Sequence, residues 1–197
     1  EIFGIILIIF SILLLLSFAS YSPEDPNFIF NSEKEIENIL GFRGSYTSDI
    51  FFQSFGIISY LIPVTLIFTG IYIFRSKKIF ILLRNLFYTI LYIILGSFFF
   101  SFFYKETFWL TINGNGGFVG SYLDNSFLHD FTKINQIVAY YFLVIIILLI
   151  FLISINFKLK LLPKLIISLL KLFKKKEENL INTDIEANTN KEDVFDK

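Results

Sequence analysis

Residues 2–28 read IFGIILIIFSILLLLSFASYSPEDPNF, an uncharged apolar run that gives way at once to two prolines and two acids. The run is long enough to cross a hydrocarbon core of roughly 30 Å at about 1.5 Å per residue. It exceeds the apolar core of a secretory signal, and Ser22-Pro23-Glu24-Asp25-Pro26 is a poor small-residue cleavage site, so it reads as a retained span. Working outward, three further stretches are nearly free of charge. The expected spans are about 2–21, 50–74, 80–104 and 136–157.

Composition agrees. The hydrophobic share is 55%, the aromatic share 19% and the mean hydropathy +0.68, which makes lipid the solvent for much of the chain. The absence of cysteine excludes disulfides, iron–sulfur clusters and thiol catalysis. The absence of methionine, even at position 1, suggests a piece of a longer protein.

Net charge is zero, so the placement of charge carries the information. The turn after the second span holds Arg75, Lys77 and Lys78, with Arg84 just inside the third, and seven lysines follow the fourth span between Lys158 and Lys176. The other two connections hold only Lys34, Arg43, Lys105 and Lys133, against nine acids. The positive-inside rule then predicts an all-α membrane protein, N-in and C-in, with the two larger loops outside.

The first outer loop carries a capping box, Ser32 with Glu35, backed by Ile36, Ile39 and Leu40, and this predicts a short folded helix. Gly41 stands where such a helix would end with positive φ. Thr47, Ser48 and Asp49 offer N-cap oxygens to the second span, and Pro63 is expected to kink it. In the second outer loop, Gly114 to Gly120 predicts a tight turn feeding a short interfacial helix, with Trp109 and Tyr122 as interfacial aromatics.

After the fourth span, Lys160, Lys164, Lys171, Lys174 and Lys175 share one stripe opposite a leucine-rich face. That predicts a basic amphipathic helix over 158–176 on the anionic inner leaflet, with Pro163 in its first turn. From 177 to 197 the sequence turns acidic and aperiodic, the start of a disordered cytoplasmic linker. Residues 1–157 then form a four-helix membrane domain.

Chemistry is sparse. No Gly-Lys-Ser/Thr follows the glycine cluster, so it is a turn before it is a phosphate cradle. His129 is the sole histidine, which leaves a metal site unsupported. Glu24, Asp25 and Asp49 read as loop and capping acids. No Asp or Glu lies inside an expected span, where a transporter or proton relay usually needs one. Lysines beside a span point to lipid before nucleic acid. Ser97 and Ser101 offer a weak small-residue packing seam.

Ser20-Tyr21-Ser22-Pro23-Glu24-Asp25-Pro26 resembles the Ser-Tyr…Asp-Pro signature of the N-terminal four-helix membrane domain of the FtsK/SpoIIIE DNA translocases. Asn38, Gly41, Gly44, Asp49, Phe55-Gly56 and Pro63 are similar to that domain's next block, and Gly116-Gly117 with Gly120 to its Gly-Gly-x-x-Gly. Ser45 and Ser48 depart from the family's frequent alanines. The resemblance covers about residues 1–157 and implies a non-catalytic membrane anchor, without cofactor or metal. Its parent would be an ATP- and Mg-dependent DNA translocase of cell division and chromosome segregation. It further implies a hexamer at the septum of the bacterial inner membrane, divisome partners, and DNA contact only through a cytoplasmic motor. The alternatives are an unrelated four-span transporter or channel subunit and a stand-alone membrane scaffold.

Overall fold

The computed structural model describes residues 1–26, 35–105, 110 and 112–157. Among them every regular element is helical: α1 (Ile2–Ala19), α2 (Gly41–Phe55), a 3₁₀ helix (Gly56–Tyr60), α3 (Leu61–Ser76), α4 (Ile81–Phe103), α5 (Gly117–Asp124), α6 (Phe127–Ile134) and α7 (Gln136–Ser154). Four segments are long and apolar enough to cross a membrane: α1, Gly41–Ser76, α4 and α7. The basic helix expected at 158–176, with Lys160, Lys164, Lys171, Lys174 and Lys175, and the linker from 177 lie outside the described residues, as do Ser32 and Trp109.

The bundle is a row of antiparallel neighbours in the order α1, α3, α4, α7. Gly4 near the start of α1 meets Gly70 late in α3, while Phe18 at the end of α1 meets Tyr60 just before α3. Tyr92 and Phe99 of α4 face Phe151 and Tyr140 of α7 in reversed order. The end of the bundle where α1 and α4 finish and α3 and α7 start carries both long connections. We call it the junction end.

Lipid supplies no hydrophobic drive between spans, so close backbone approach and dispersion must hold them. At the α1–α3 crossing a Cβ on Gly70 would lie 2.7 Å from Ile8 Cγ1 and 2.9 Å from the Gly4 carbonyl oxygen. Gly70→Ala is therefore expected to cost about 1–3 kcal/mol through overpacking, read as a lowered thermal midpoint in detergent. Toward the junction end Phe18 is fully buried, with ring centroids 5.1–5.4 Å from Phe52 and Phe51. By contrast α7 buries only Leu143 and Ser154, leaving most of its surface for lipid or a neighbour.

Several expectations for the first loop and second span are corrected. Glu35 to Leu40 are not helical: they form irregular chain and a turn that leads into α2. Gly41 has the positive φ expected of it, 62°, but it opens α2 rather than closing a helix. Thr47, Ser48 and Asp49 lie inside α2, where the two hydroxyls bond carbonyls of the preceding turn, so they do not cap it. The stretch expected as one helix over 50–74 breaks at Gly56, whose φ of 74° and ψ of −154° no helix allows. Pro63 is the third residue of α3, where a proline's missing N–H is tolerated, so the interruption belongs to Gly56 and not to the proline.

Candidate functional site

The residues that stood out in the sequence gather into two contiguous clasps at the junction end. In the first, Asp25 is buried and its two carboxylate oxygens accept from the Glu37 amide at 2.9 Å and the Asn38 amide at 3.1 Å. The Asn38 side chain then reaches back to α1, donating to the Ser17 carbonyl at 2.9 Å and the Ser20 carbonyl at 3.2 Å. Its own oxygen accepts from the Leu40 amide, which sets the turn into α2. Ser20 Oγ accepts from the Ile39 amide at 3.1 Å. The buried side chains of Asp25 and Asn38 thus each find partners across the α1–α2 connection.

Gly44 is the contact point between the helices. Any Cβ there would collide with the Asn38 side chain, and its carbonyl accepts from Ser17 Oγ at 2.7 Å. Ser45 Oγ donates to the Pro26 carbonyl at 3.0 Å, so Pro26 is tied to α2 as well. Tyr21, just past the end of α1, packs its ring on Phe52 and donates its hydroxyl to Asp49 Oδ1 at 3.3 Å. Burial, and after it the charge of Asp49, push the Tyr21 hydroxyl well above the ordinary phenol range. The phenol therefore remains a donor to the buried Asp49, which also accepts from Gln53 Nε2.

The second clasp joins the two connections to each other. The Ile57 amide donates to the Asn115 carbonyl at 3.0 Å, and Asn113 Nδ2 donates to the Gln53 carbonyl at 3.2 Å. This approach needs glycine on both sides: a Cβ on Gly56 would strike the Asn115 carbonyl, and one on Gly117, with φ 64°, would strike backbone of Ser54 to Gly56. Gly116 and Gly120 lie against the Ser97 carbonyl and Ser101 of α4 with no room for a side chain. Ser97 Oγ in turn donates to the Phe55 carbonyl at 2.8 Å, which locks the end of α2 to α4. The small-residue seam of Ser97 and Ser101 thus receives glycines of the same chain.

Other candidates fall elsewhere. His129 Nδ1 pairs with Asp124 Oδ1 at 2.7 Å, and Asp124 also meets Lys105 Nζ at 3.1 Å, which fastens α5 and α6 to the end of α4. Among the described residues no cluster of His, Asp and Glu is built to hold a metal. Glu24 has a partner of its own.

Sequence reading missed a polar seam inside the bundle. Thr65 Oγ1 bonds Tyr92 at 3.0 Å and Ser154 at 3.3 Å, and Asn85 Nδ2 donates to Thr69 Oγ1 at 2.8 Å. Single threonines, serines and an asparagine in apolar runs are too ordinary to flag, and only the three-helix convergence gives them meaning. Such bonds in lipid average about 0.6 kcal/mol and reach about 1.7. Asn85→Leu should accordingly lower stability by about 0.5–2 kcal/mol in an unfolding titration while leaving the fold intact.

Both clasps are built from the residues that carried the family resemblance, from Ser20 to Gly120. A family model described as the 4TM region of DNA translocase FtsK/SpoIIIE matches residues 1–164. The chain belongs to this family. Parallel comparisons with curated proteins and with solved structures found no match. As an FtsK/SpoIIIE 4TM region, the chain is the membrane region of such a translocase; Gly41 and Pro63 apart, the residues through which it resembles that family lie in or beside the two clasps. Every side-chain polar atom of Tyr21, Asp25, Asn38 and Asp49 for which a bond is described spends it inside the domain.

Proposed function

We propose that this domain anchors and assembles a septal DNA translocase acting in cell division and chromosome segregation. The observation that carries the reading is that the residues through which the chain resembles the family, Gly41 and Pro63 apart, converge on two internal clasps at one end of the bundle. A rigid end cap of this kind is what an assembly surface requires: it presents fixed shapes to neighbouring subunits and divisome proteins without an ordering cost at each encounter. On this reading the junction end faces outward from the bacterial inner membrane, and the N- and C-termini face the cytoplasm. The self-assembled form is a hexamer, and an ATP- and Mg-driven motor follows the linker and alone touches DNA. The domain itself performs no catalysis and binds no cofactor.

Membership in the 4TM family speaks against an unrelated transporter or channel subunit, and so does a polar seam whose described groups bond one another. The scaffold alternative differs only downstream. Reading the gene a few hundred codons past Lys197 should show a Gly-rich phosphate-binding motif, and an immediate stop would refute the motor. For the anchoring role itself, residues 1–164 fused to a fluorescent protein should collect at the division plane of dividing cells. Uniform labelling of the envelope by a stably inserted fusion would contradict it.

A further inference from the structure

Between α1 and the first turns of α2 lies an open groove of about 410 Å3. Its walls include Phe10, Leu13 and Leu14 of α1 and Leu40 at the turn into α2, with Arg43 and Thr47 along α2. Its polar groups other than Arg43 are committed: Ser17 Oγ donates to the Gly44 carbonyl, and Thr47 Oγ1 to the Arg43 carbonyl at 2.7 Å. The Arg43 side chain is exposed and makes no ion pair among the described residues. The described acids of the neighbouring clasp, Asp25 and Asp49, are occupied by backbone amides and by Tyr21 and Gln53.

We propose that this groove binds one phospholipid, its acyl chain along Phe10, Leu13 and Leu14 and its phosphate on the Arg43 guanidinium. The chemistry is two-part, as the ligand is: an apolar trough in a span, and one unspent fork of N–H donors where that span ends. Guanidinium suits phosphate because its planar fork donates two parallel bonds, and its aliphatic stem lies against apolar surface on the way to the headgroup level. An uncharged apolar helix would leave the guanidinium unanswered, whereas a phospholipid carries an anion on the same molecule as its apolar chain. Phe10 and Leu13 remain 54% and 45% exposed, so the trough is open to the bilayer from the side. The inference stands apart from the anchoring role: it needs only a bilayer.

Native mass spectrometry of the full 197-residue chain, released from detergent with added dioleoylphosphatidylglycerol, tests it. One retained lipid per chain is expected. Arg43→Gln, which removes the charge-assisted bonds, should lower retention about tenfold. Leu13→Trp, which fills the trough, should do the same, while Ile145→Trp on the exposed flank of α7 should change nothing. Dioleoylglycerol, which lacks the phosphate, should not be retained, and millimolar inorganic phosphate should not displace the lipid. Undiminished retention by Arg43→Gln would overturn the proposal, and so would equal retention of dioleoylglycerol. Displacement by inorganic phosphate alone, or a chain dimer that Leu13→Trp dissociates, would overturn it too. Arg43 is exposed and glutamine is an equally good helix former, so an unchanged helical circular dichroism spectrum keeps that variant informative.

Discussion

Gly56→Ala is expected to unfold or severely loosen the junction end, at a cost of roughly 2–6 kcal/mol. Two terms add. The backbone of Gly56, φ 74° and ψ −154°, lies in a region open essentially to glycine alone, and placing an alanine there costs about 1–3 kcal/mol. The new methyl group would also collide with the Asn115 carbonyl, and that obstacle is backbone, which cannot rotate aside. Forcing it back breaks the Ile57–Asn115 hydrogen bond and moves Gly116 and Gly120 off α4, adding overpacking of about 1–3 kcal/mol. Gly41→Ala is the internal control. Gly41 has a comparable positive φ of 62° but nothing within 4 Å of its would-be Cβ, so only the backbone term of about 1–2 kcal/mol applies. Denaturant titrations of the two variants in the same detergent should separate them by the overpacking term, about 1–3 kcal/mol. Equal losses would mean that the second connection does not press on Gly56.

The second large effect is expected at Asn38. Asn38→Asp keeps the shape and the oxygen that caps Leu40, but replaces the amide that donates to the Ser17 and Ser20 carbonyls. Asn38 is 3% exposed, so the new carboxyl would have to sit between two carbonyl oxygens and beside Asp25 with little water. Losing two donors to buried acceptors costs about 1–3 kcal/mol each, and charge repulsion adds to it. A total of at least about 2–6 kcal/mol is expected near neutral pH, where an ionised carboxylate suffers most. Part of the loss should return on acidification, because the protonated acid regains one donor. A thermal midpoint measured at pH 7 and again near pH 5 checks both parts of this. A variant as stable as the parent at pH 7 would remove Asn38 from the clasp.

How far the sequence could be read follows from where each cause lies along the chain. Spans announce themselves because their cause is local: enough uncharged residues in a row to cross a bilayer, as in α1, α4 and α7. The glycine turn before α5 was legible for the same reason, since Asn-Gly-Asn-Gly-Gly specifies positive φ within its own five residues. Gly56 was not, because Phe-Gly-Ile-Ile inside an apolar run shows no interruption. Its backbone is set by Asn115, far along the chain, and only the fold brings the two together.

Gly41 illustrates a partial success. Its left-handed backbone was correctly expected, but whether such a residue ends one helix or begins another depends on what captures the chain before it. Asp25 holds the amides of Glu37 and Asn38, which keeps 35–40 out of a helix and delays helix formation to Gly41. Thr47 and Ser48 were expected to cap for a related reason: with the helix start misplaced by nine residues, interior hydroxyls passed for terminal ones. The polar seam of Thr65, Asn85, Tyr92 and Ser154 is legible only in three dimensions, since each residue alone is unremarkable.

The central claim is that the two long connections fold together onto one end of the bundle as a single fastened unit. Amide hydrogen exchange in lipid nanodiscs measures this directly, through the N–H groups of Glu37, Asn38, Ile39 and Ile57. None of the first three lies in a helix, yet each donates to a side chain of the first clasp, and Ile57 donates across to the second connection. The account predicts that all four exchange at least about a hundredfold slower than an open loop. It also predicts that Gly117→Ala, which breaks only the second clasp, accelerates Ile57 most. Exchange at Glu37, Asn38 and Ile57 as fast as in an unstructured peptide would contradict it.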